Sequence, residues 1–118
     1  MLTAYGVRTL AASSAAFHPL SYHCGSVWAH DNGMIIEGML AEGFTGHAHE
    51  VALRLDKAAA HFGYRMPELF AVFPSRGEPA DEGGRPFRAE LPPVPYPASC
   101  RPQAWAAATA FVCARALR

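Results

Sequence analysis

The chain has 118 residues, and its 10 Lys and Arg balance 10 Asp and Glu, so it carries no formal net charge at pH 7. This balance gives no electrostatic attraction to nucleic acid or to an anionic membrane, and we expect neither as a partner. No apolar run approaches the roughly 20 residues of a membrane span, and no secretory signal is evident. The sequence therefore indicates a soluble, cytoplasmic protein of one domain at most. Its three cysteines are an odd number without a CxxC pair, which favours reduced thiols.

The first 30 residues show little helical periodicity, and we expect mostly irregular backbone with a short extended piece at 7–10. A first helix is then predicted over residues 32–42. Asp31 and Asn32 are good helix N-caps, apolar residues recur at helical spacing after them, and Gly43 supplies a left-handed stop.

A second helix is predicted to begin at Thr45 and to end at Gly63. One of its faces is apolar, with Ala48, Val51, Ala52, Leu55, Ala59 and Phe62. Because only a few residues join the two helices, we expect an antiparallel αα-hairpin.

Residues 74–97 contain seven prolines and three glycines, which exclude a helix and a central strand. We expect an ordered loop there that lines a functional site. Pro102 suits the first turn of a helix, and the alanine-rich run that follows it predicts a third helix over 102–117. The apolar surface of these elements exceeds what three helices can cover for one another.

Three stretches of the chain resemble, in the same order and at matching spacing, the carboxy-terminal signatures of one glycosidase family. They are SYHCGSVWAHDN at 21–32, PELF at 67–70 and VPYPASCRPQAWAAATAF at 94–111. The family is that of the glycogen-debranching, amylo-α-1,6-glucosidase-like glycoside hydrolases. The lead-in YGVRTLA at 5–11 is similar to the segment that precedes the first motif.

The resemblance implies an all-α fold, since the catalytic domain of this family is an (α/α)6 toroid. Six hairpins need roughly 350 to 400 residues, so we expect a carboxy-terminal fragment with one αα-hairpin, a third long helix and long loops. The missing amino-terminal part of the same domain is then an expected partner. The chain departs from the family pattern at Cys24, Ala29 and Val72, where Asn, Pro and Gly are usual.

The resemblance also implies an inverting glycoside hydrolase that acts on an α-glucan or a related glucoside, with the Glu of PELF, Glu68, as the general base. Such hydrolysis generally requires two carboxyl groups. The family's general acid is an Asp upstream of the matched region, and no residue of this chain corresponds to it. The alternative interpretation of Glu68 is an ordinary carboxylate in the first turn of a helix, beside the helix dipole.

Aromatic rings stack on the C–H faces of sugars, while side chains that donate and accept hydrogen bonds address their hydroxyls. The predicted substrate-binding residues are His23, Trp28, His30, Asp31, Asn32, Arg76, Tyr96, Gln103 and Trp105. Trp28 and Trp105 are alternatively core residues, and Asp31 is alternatively a helix cap.

Two other kinds of site are disfavoured, and no cofactor is expected. Candidate metal ligands are present at His23, Cys24, His30, Asp31, His47 and His49. They lack the spacing of an HExxH or paired CxxC motif. A nucleophilic Cys24 activated by its neighbour His23 is disfavoured because adjacent side chains rarely face each other. The alternative function is a non-catalytic helical remnant that binds carbohydrate or a partner chain through its apolar face.

Overall fold

In the computed structural model, which describes residues 1–73 and 91–118, three helices pack against two small antiparallel sheets. The helices are α1 (Ala29–Ala41), α2 (Thr45–His61) and α3 (Ala104–Ala116). The strands are β1 (Leu2–Thr3), β2 (Gly6–Val7), β3 (Val27–Trp28), β4 (Leu69–Ala71) and β5 (Val94–Pro95).

The prediction of an all-α fold, as a carboxy-terminal fragment of an (α/α)6 toroid, is wrong. The described chain is a small α+β domain with five strands in two sheets. Its strands are only two or three residues long. Runs this short leave no alternating pattern in a sequence, because alternation becomes visible only over about four to eight residues. The strands form because the tertiary fold brings their backbones into pairing distance.

The first sheet is the hairpin of β1 and β2, in which Leu2 pairs with Val7 and Thr3 with Gly6. The hydroxyl of Thr3 donates to the carbonyl of Gly6 at 2.7 Å, and Gly6 has a φ of +132° that L side chains rarely adopt. An isolated bridge between Arg8 and Val27 links this hairpin to the second sheet. The extended segment predicted at 7–10 thus begins one residue earlier, and only its start lies in a strand.

The second sheet has the order β3-β4-β5, and its central strand begins within the PELF motif, at Leu69. Val27 pairs with Phe70, which in turn pairs with Pro95 on the other side. Proline is tolerated at the edge of a sheet because it has no N–H to donate. The loop predicted for 74–97 therefore ends in an edge strand; residues 74–90 lie outside the described part of the chain.

Helix α1 confirms the first predicted helix but begins three residues before 32, at Ala29. Its N-cap is Trp28, whose side chain makes no capping hydrogen bond. Asn32 does not cap the helix because its side chain points into the core, where it is fully buried. Gly43 follows the helix with a φ of +81°, as the stop signal predicted.

Helix α2 confirms the second predicted helix and supplies one wall of the core. Its buried residues are Ala48, Val51, Ala52, Leu55 and Ala58. They belong to one cluster with Tyr5, Val27, Ile36 and Phe70, so the apolar face covers both sheets and α1. Fully burying a side chain such as Leu55 contributes about 1.5–3 kcal/mol, and this face is the main source of cohesion.

Helix α3 packs across α1 and α2, and it begins two residues after the predicted start at 102. Gln103 is the N-cap, with its side-chain oxygen accepting from the Ala106 N–H at 2.9 Å. Thr109 donates to the carbonyl of Ala29 at 3.1 Å, across the contact with α1. In the described part of the chain, no helix has the combined length and apolarity needed to cross a lipid bilayer.

Candidate functional site

The loop at residues 21–26 carries the first motif over the end of the second sheet. Its turn needs Gly25, which has a φ of +138° and lies so close to Phe17 that a Cβ atom would be 2.5 Å from the Phe17 ring. The Gly25 N–H donates to the hydroxyl of Thr9 at 3.0 Å. These contacts hold the loop in one position, and its outer side presents Tyr22.

Trp28 forms the floor beneath this loop. Its indole N–H donates to the carbonyl of Tyr22 at 2.9 Å, and its side chain is nearly buried, with 8% exposed. The ring of His23 stacks on Trp28 with centroids 5.6 Å apart and planes 8° from parallel. Trp28 therefore packs beneath the site, while the exposed rings of this loop are those of Tyr22 and His23.

Glu68 reaches Tyr22 from the start of β4, the strand paired with β3. It directly precedes β4, and its backbone N–H donates to the carbonyl of Cys100 at 3.1 Å. Its carboxylate oxygen Oε1 accepts a hydrogen bond from the Tyr22 hydroxyl at 3.2 Å. The residue is partly exposed and lies outside any helix, so the alternative interpretation as a carboxylate in the first turn of a helix does not hold.

Tyr22 is the centre of the site. Its ring makes edge contacts with the rings of His23, Trp28 and Tyr96, at centroid distances of 4.6, 4.7 and 5.8 Å. Tyr96 is in turn held by its backbone N–H, which donates to the carbonyl of Leu69. We refer to these residues together as the Tyr22–Glu68 cluster, which comprises Tyr22, His23, Trp28, Glu68 and Tyr96.

The environment of the cluster raises the pKa of the Tyr22 phenol. Desolvation by the packed neighbours raises its pKa above the ordinary value of 10.0, and the carboxylate of Glu68 raises it further by charge repulsion and by accepting its hydrogen bond. Tyr96 and Cys100 add smaller effects in the same direction. At neutral pH the phenol is thus a donor, and the carboxylate is its acceptor.

Three of the predicted substrate-binding residues lie elsewhere in the structure. The ring of His30 contacts that of Trp105 at 4.8 Å, between α1 and α3. Asp31 is exposed in the first turn of α1. These side chains do not join the Tyr22–Glu68 cluster, because His30 and Trp105 contact each other between α1 and α3 and Asp31 is exposed to solvent.

Two more predicted residues have structural roles, and one lies outside the description. The Asn32 amide accepts from the N–H of Val7 at 2.7 Å and donates to the carbonyls of Val7 and Trp28 at 3.0 and 2.8 Å. Gln103 caps α3. Arg76 is outside the described residues. The structure thus brings three predicted binding residues, His23, Trp28 and Tyr96, to the predicted base.

Sequence reasoning missed Tyr22, although it stands second in the motif SYHCGSVWAHDN. The neighbouring sequence does not distinguish a tyrosine that donates to a carboxylate 46 residues away from a tyrosine that only packs against other side chains. The available signal was its place beside His23 in a stretch already assigned to sugar binding.

The other chemistry weighed from the sequence finds no counterpart in the described residues. No group of three or more His, Cys, Asp or Glu side chains converges there in a way that would hold a metal ion. The described cysteines are all free. The His23 ring lies against Tyr22 and Trp28, so its contacts are those of a stacking residue.

A second concave feature lies between α2 and α3. It is a groove of about 310 Å³, lined mainly by alanines together with Leu55, Met66 and Leu117. Its polar lining includes Asp56 of α2 and Cys113 of α3, and burial followed by the charge of Asp56 raises the pKa of the Cys113 thiol to about 11. The predicted site residues lie outside this groove.

A comparison with models of known protein families found no match, and a comparison with curated proteins found none either. The family resemblance accordingly rests on the three sequence motifs, each of which contributes at least one residue to the Tyr22–Glu68 cluster.

Proposed function

We propose that the protein binds carbohydrate at the Tyr22–Glu68 cluster and that Glu68 is the water-activating base of a glycoside hydrolase acting on an α-glucan or a related glucoside. The observation that carries this proposal is the position of the Glu68 carboxylate, which is hydrogen-bonded to Tyr22, a residue whose ring packs against those of Trp28 and Tyr96. The resemblance to amylo-α-1,6-glucosidase-like enzymes supports the assignment of the same glutamate.

The cluster has the two kinds of group that sugars require. Tyr22, with 41% of its surface exposed, and His23 offer ring surfaces to the C–H faces of a pyranose. The Glu68 carboxylate and the phenol of Tyr96 offer hydrogen-bonding groups to its hydroxyls. A charged acceptor bonds a hydroxyl more strongly than a neutral one does, so Glu68 is the anchor of the bound sugar.

In the proposed reaction, the oxygen of a water molecule attacks the anomeric carbon while the glycosidic C–O bond breaks, which inverts the configuration. Glu68 accepts the proton that the water releases, and a second carboxyl group donates a proton to the leaving oxygen. Within residues 1–73 and 91–118, no second carboxyl group contacts the cluster. The proposal therefore assigns the acid to polypeptide outside these residues, in agreement with the family resemblance.

The same observation favours one alternative, which is carbohydrate binding without hydrolysis. A single carboxylate among aromatic rings is sufficient to hold a sugar, whereas inversion generally needs two carboxyl groups. The two functions differ in whether a bound α-glucan is cut.

The substitution Glu68→Gln tests the proposal, because it keeps the hydrogen-bond acceptor for Tyr22 and removes the base. We expect turnover of maltotriose or isomaltotriose to fall by about 10²–10⁴-fold, the usual contribution of general acid–base catalysis, with affinity largely retained. Product release and isothermal titration calorimetry measure the two quantities. Glu42→Gln is the matched control, since Glu42 is exposed at the end of α1.

The outcomes separate the two functions. Wild-type turnover by Glu68→Gln would remove this residue from its catalytic role. Binding of the sugar by the wild-type protein without turnover would favour the binding function. Failure of the wild-type protein to bind either sugar would contradict both.

A further inference from the structure

We propose that Tyr22 is the positioning residue of Glu68, holding oxygen Oε1 so that oxygen Oε2 faces the substrate. The inference rests on the proposed function and deepens it by assigning separate roles to the two carboxylate oxygens. Neither Tyr22 nor this division was suggested by the sequence motifs.

The first step of the argument is the set of contacts around Glu68. In the described part of the chain, the side chain of Glu68 has one hydrogen-bond partner, the Tyr22 hydroxyl, which bonds Oε1 at 3.2 Å. Its backbone N–H is fixed separately by the carbonyl of Cys100. The backbone therefore anchors one end of the side chain and the phenol anchors the other, which leaves Oε2 as the oxygen without a partner in that region.

The second step is the rigidity of Tyr22 itself. Its ring lies between Trp28 and Tyr96, with planes at 80° and 63° to theirs. Its carbonyl accepts from the Trp28 indole at 2.9 Å and from the Ser26 hydroxyl at 2.9 Å. Because both the ring and the backbone of Tyr22 are held, its hydroxyl can fix the Glu68 carboxylate with little further loss of side-chain entropy. A positioning residue has to meet this requirement.

The protonation state of the phenol supports the same role. The ionisable groups that face Tyr22 are Glu68, Tyr96, Cys100 and His23. Desolvation and then Glu68 raise the pKa of the phenol above 10.0, so it remains a donor across the pH range in which a carboxylate acts as a base.

The functional test is Tyr22→Phe, which removes the hydroxyl and keeps the ring. We expect kcat for the cleaved trisaccharide to fall about 10-fold, equivalent to about 1.4 kcal/mol, while KM changes less than about 3-fold. Tyr64→Phe is the matched control, because Tyr64 lies in the groove between α2 and α3 and is largely exposed.

A second measurement needs no sugar. NMR titration of ¹³C-labelled tyrosine follows the Tyr22 phenol, which is assigned by its loss in Tyr22→Phe. In Glu68→Gln we expect its pKa to fall, because the carboxylate charge is removed, yet to stay above 10.0 because desolvation is the larger cause. The titration tests the contact between Tyr22 and Glu68 itself, whereas the kcat of Tyr22→Phe tests whether that contact positions the base.

The two measurements separate failure of this inference from failure of the proposed function. An unchanged Tyr22 titration in Glu68→Gln, or wild-type kcat in Tyr22→Phe, overturns the inference and leaves the proposed function intact. If the wild-type protein binds the sugar without cutting it, the affinity for the sugar is measured in place of kcat. A Tyr22→Phe variant that binds the sugar as tightly as the wild-type protein then overturns the inference. A wild-type protein that binds neither sugar overturns both.

Discussion

At the scale of single residues, Asn32 shows how a polar side chain in a site-like motif is used to build the fold. Its amide meets both backbone groups of Val7 in β2, much as a neighbouring strand would, and it also binds the carbonyl of Trp28. The side chain is fully buried, and its partners belong to the first sheet and to the start of α1. Asn32 therefore joins the amino-terminal hairpin to α1.

Asn32→Ala is expected to destabilise the protein by about 2–4 kcal/mol, because it leaves the buried N–H of Val7 and two carbonyls without their partner. The free energy of unfolding, from urea titration followed by circular dichroism, measures the effect. Asp31→Ala, at the exposed neighbouring position, should cost less than about 1 kcal/mol. Equal losses in the two variants would mean that the amide contributes little.

At the scale of elements, the helices agree with the sequence and the strands do not. The buried residues of α2 have the helical spacing that the sequence predicted. This helix has 17 residues, so the apolar positions recur often enough to make the pattern visible in the sequence. Helix α3 behaves differently, because its large apolar residues Trp105 and Phe111 are 59% and 82% exposed. The residues of α3 that pack are instead Ala106, Thr109 and Cys113.

The contact between α2 and α3 is expected to weaken in alkali. Burial and the carboxylate of Asp56 hold the pKa of Cys113 at about 11, against 9.0 for an ordinary thiol. Below pH 9.0 the thiol is neutral in both states; between 9.0 and about 11 the unfolded chain loses its proton first, so the free energy of unfolding falls with rising pH. Urea unfolding within this window measures the slope.

Cys113→Ala is the control for this effect, because tyrosine and lysine side chains also titrate in the same range. In this variant the tyrosine and lysine side chains still contribute to the pH dependence of the free energy of unfolding, whereas the contribution of the thiol is lost. The free energy of unfolding should therefore fall less steeply with pH than it does in the wild-type protein. Identical slopes would indicate that the thiol ionises alike in the folded and unfolded chains.

At the scale of the whole molecule, the candidate site exists only because three distant segments meet at one sheet. Tyr22 and Trp28 come with β3, Glu68 with β4 and Tyr96 with β5. The central strand carries Phe70, which is fully buried and contacts the Phe62 ring at 5.3 Å. The stability of the site is therefore tied to that of the core.

Phe70→Ala is expected to lower the free energy of unfolding by about 3–5 kcal/mol through the cavity it creates. This is a large part of the 5–15 kcal/mol typical of a whole domain, so the Tyr22–Glu68 cluster should be lost at temperatures where the wild-type protein keeps it. Thermal unfolding followed by the NMR signals of Tyr22 tests both statements. Phe111→Ala, at an exposed position, should change stability by no more than about 0.5 kcal/mol.

The sequence by itself determined the three helices, the glycine stops of α1 and α2, and the choice of a carboxylate and several aromatic residues as candidates for one site. Helical periodicity and capping are local properties that a chain displays over about 10 residues. Only the tertiary structure decided that the fold is α+β and which residues belong to the candidate site. In it Asn32 and Gln103 have structural roles, whereas Tyr22 contacts Glu68. Strand pairing and the contact between Tyr22 and Glu68, 46 residues apart, depend on how separate segments pack against a common core.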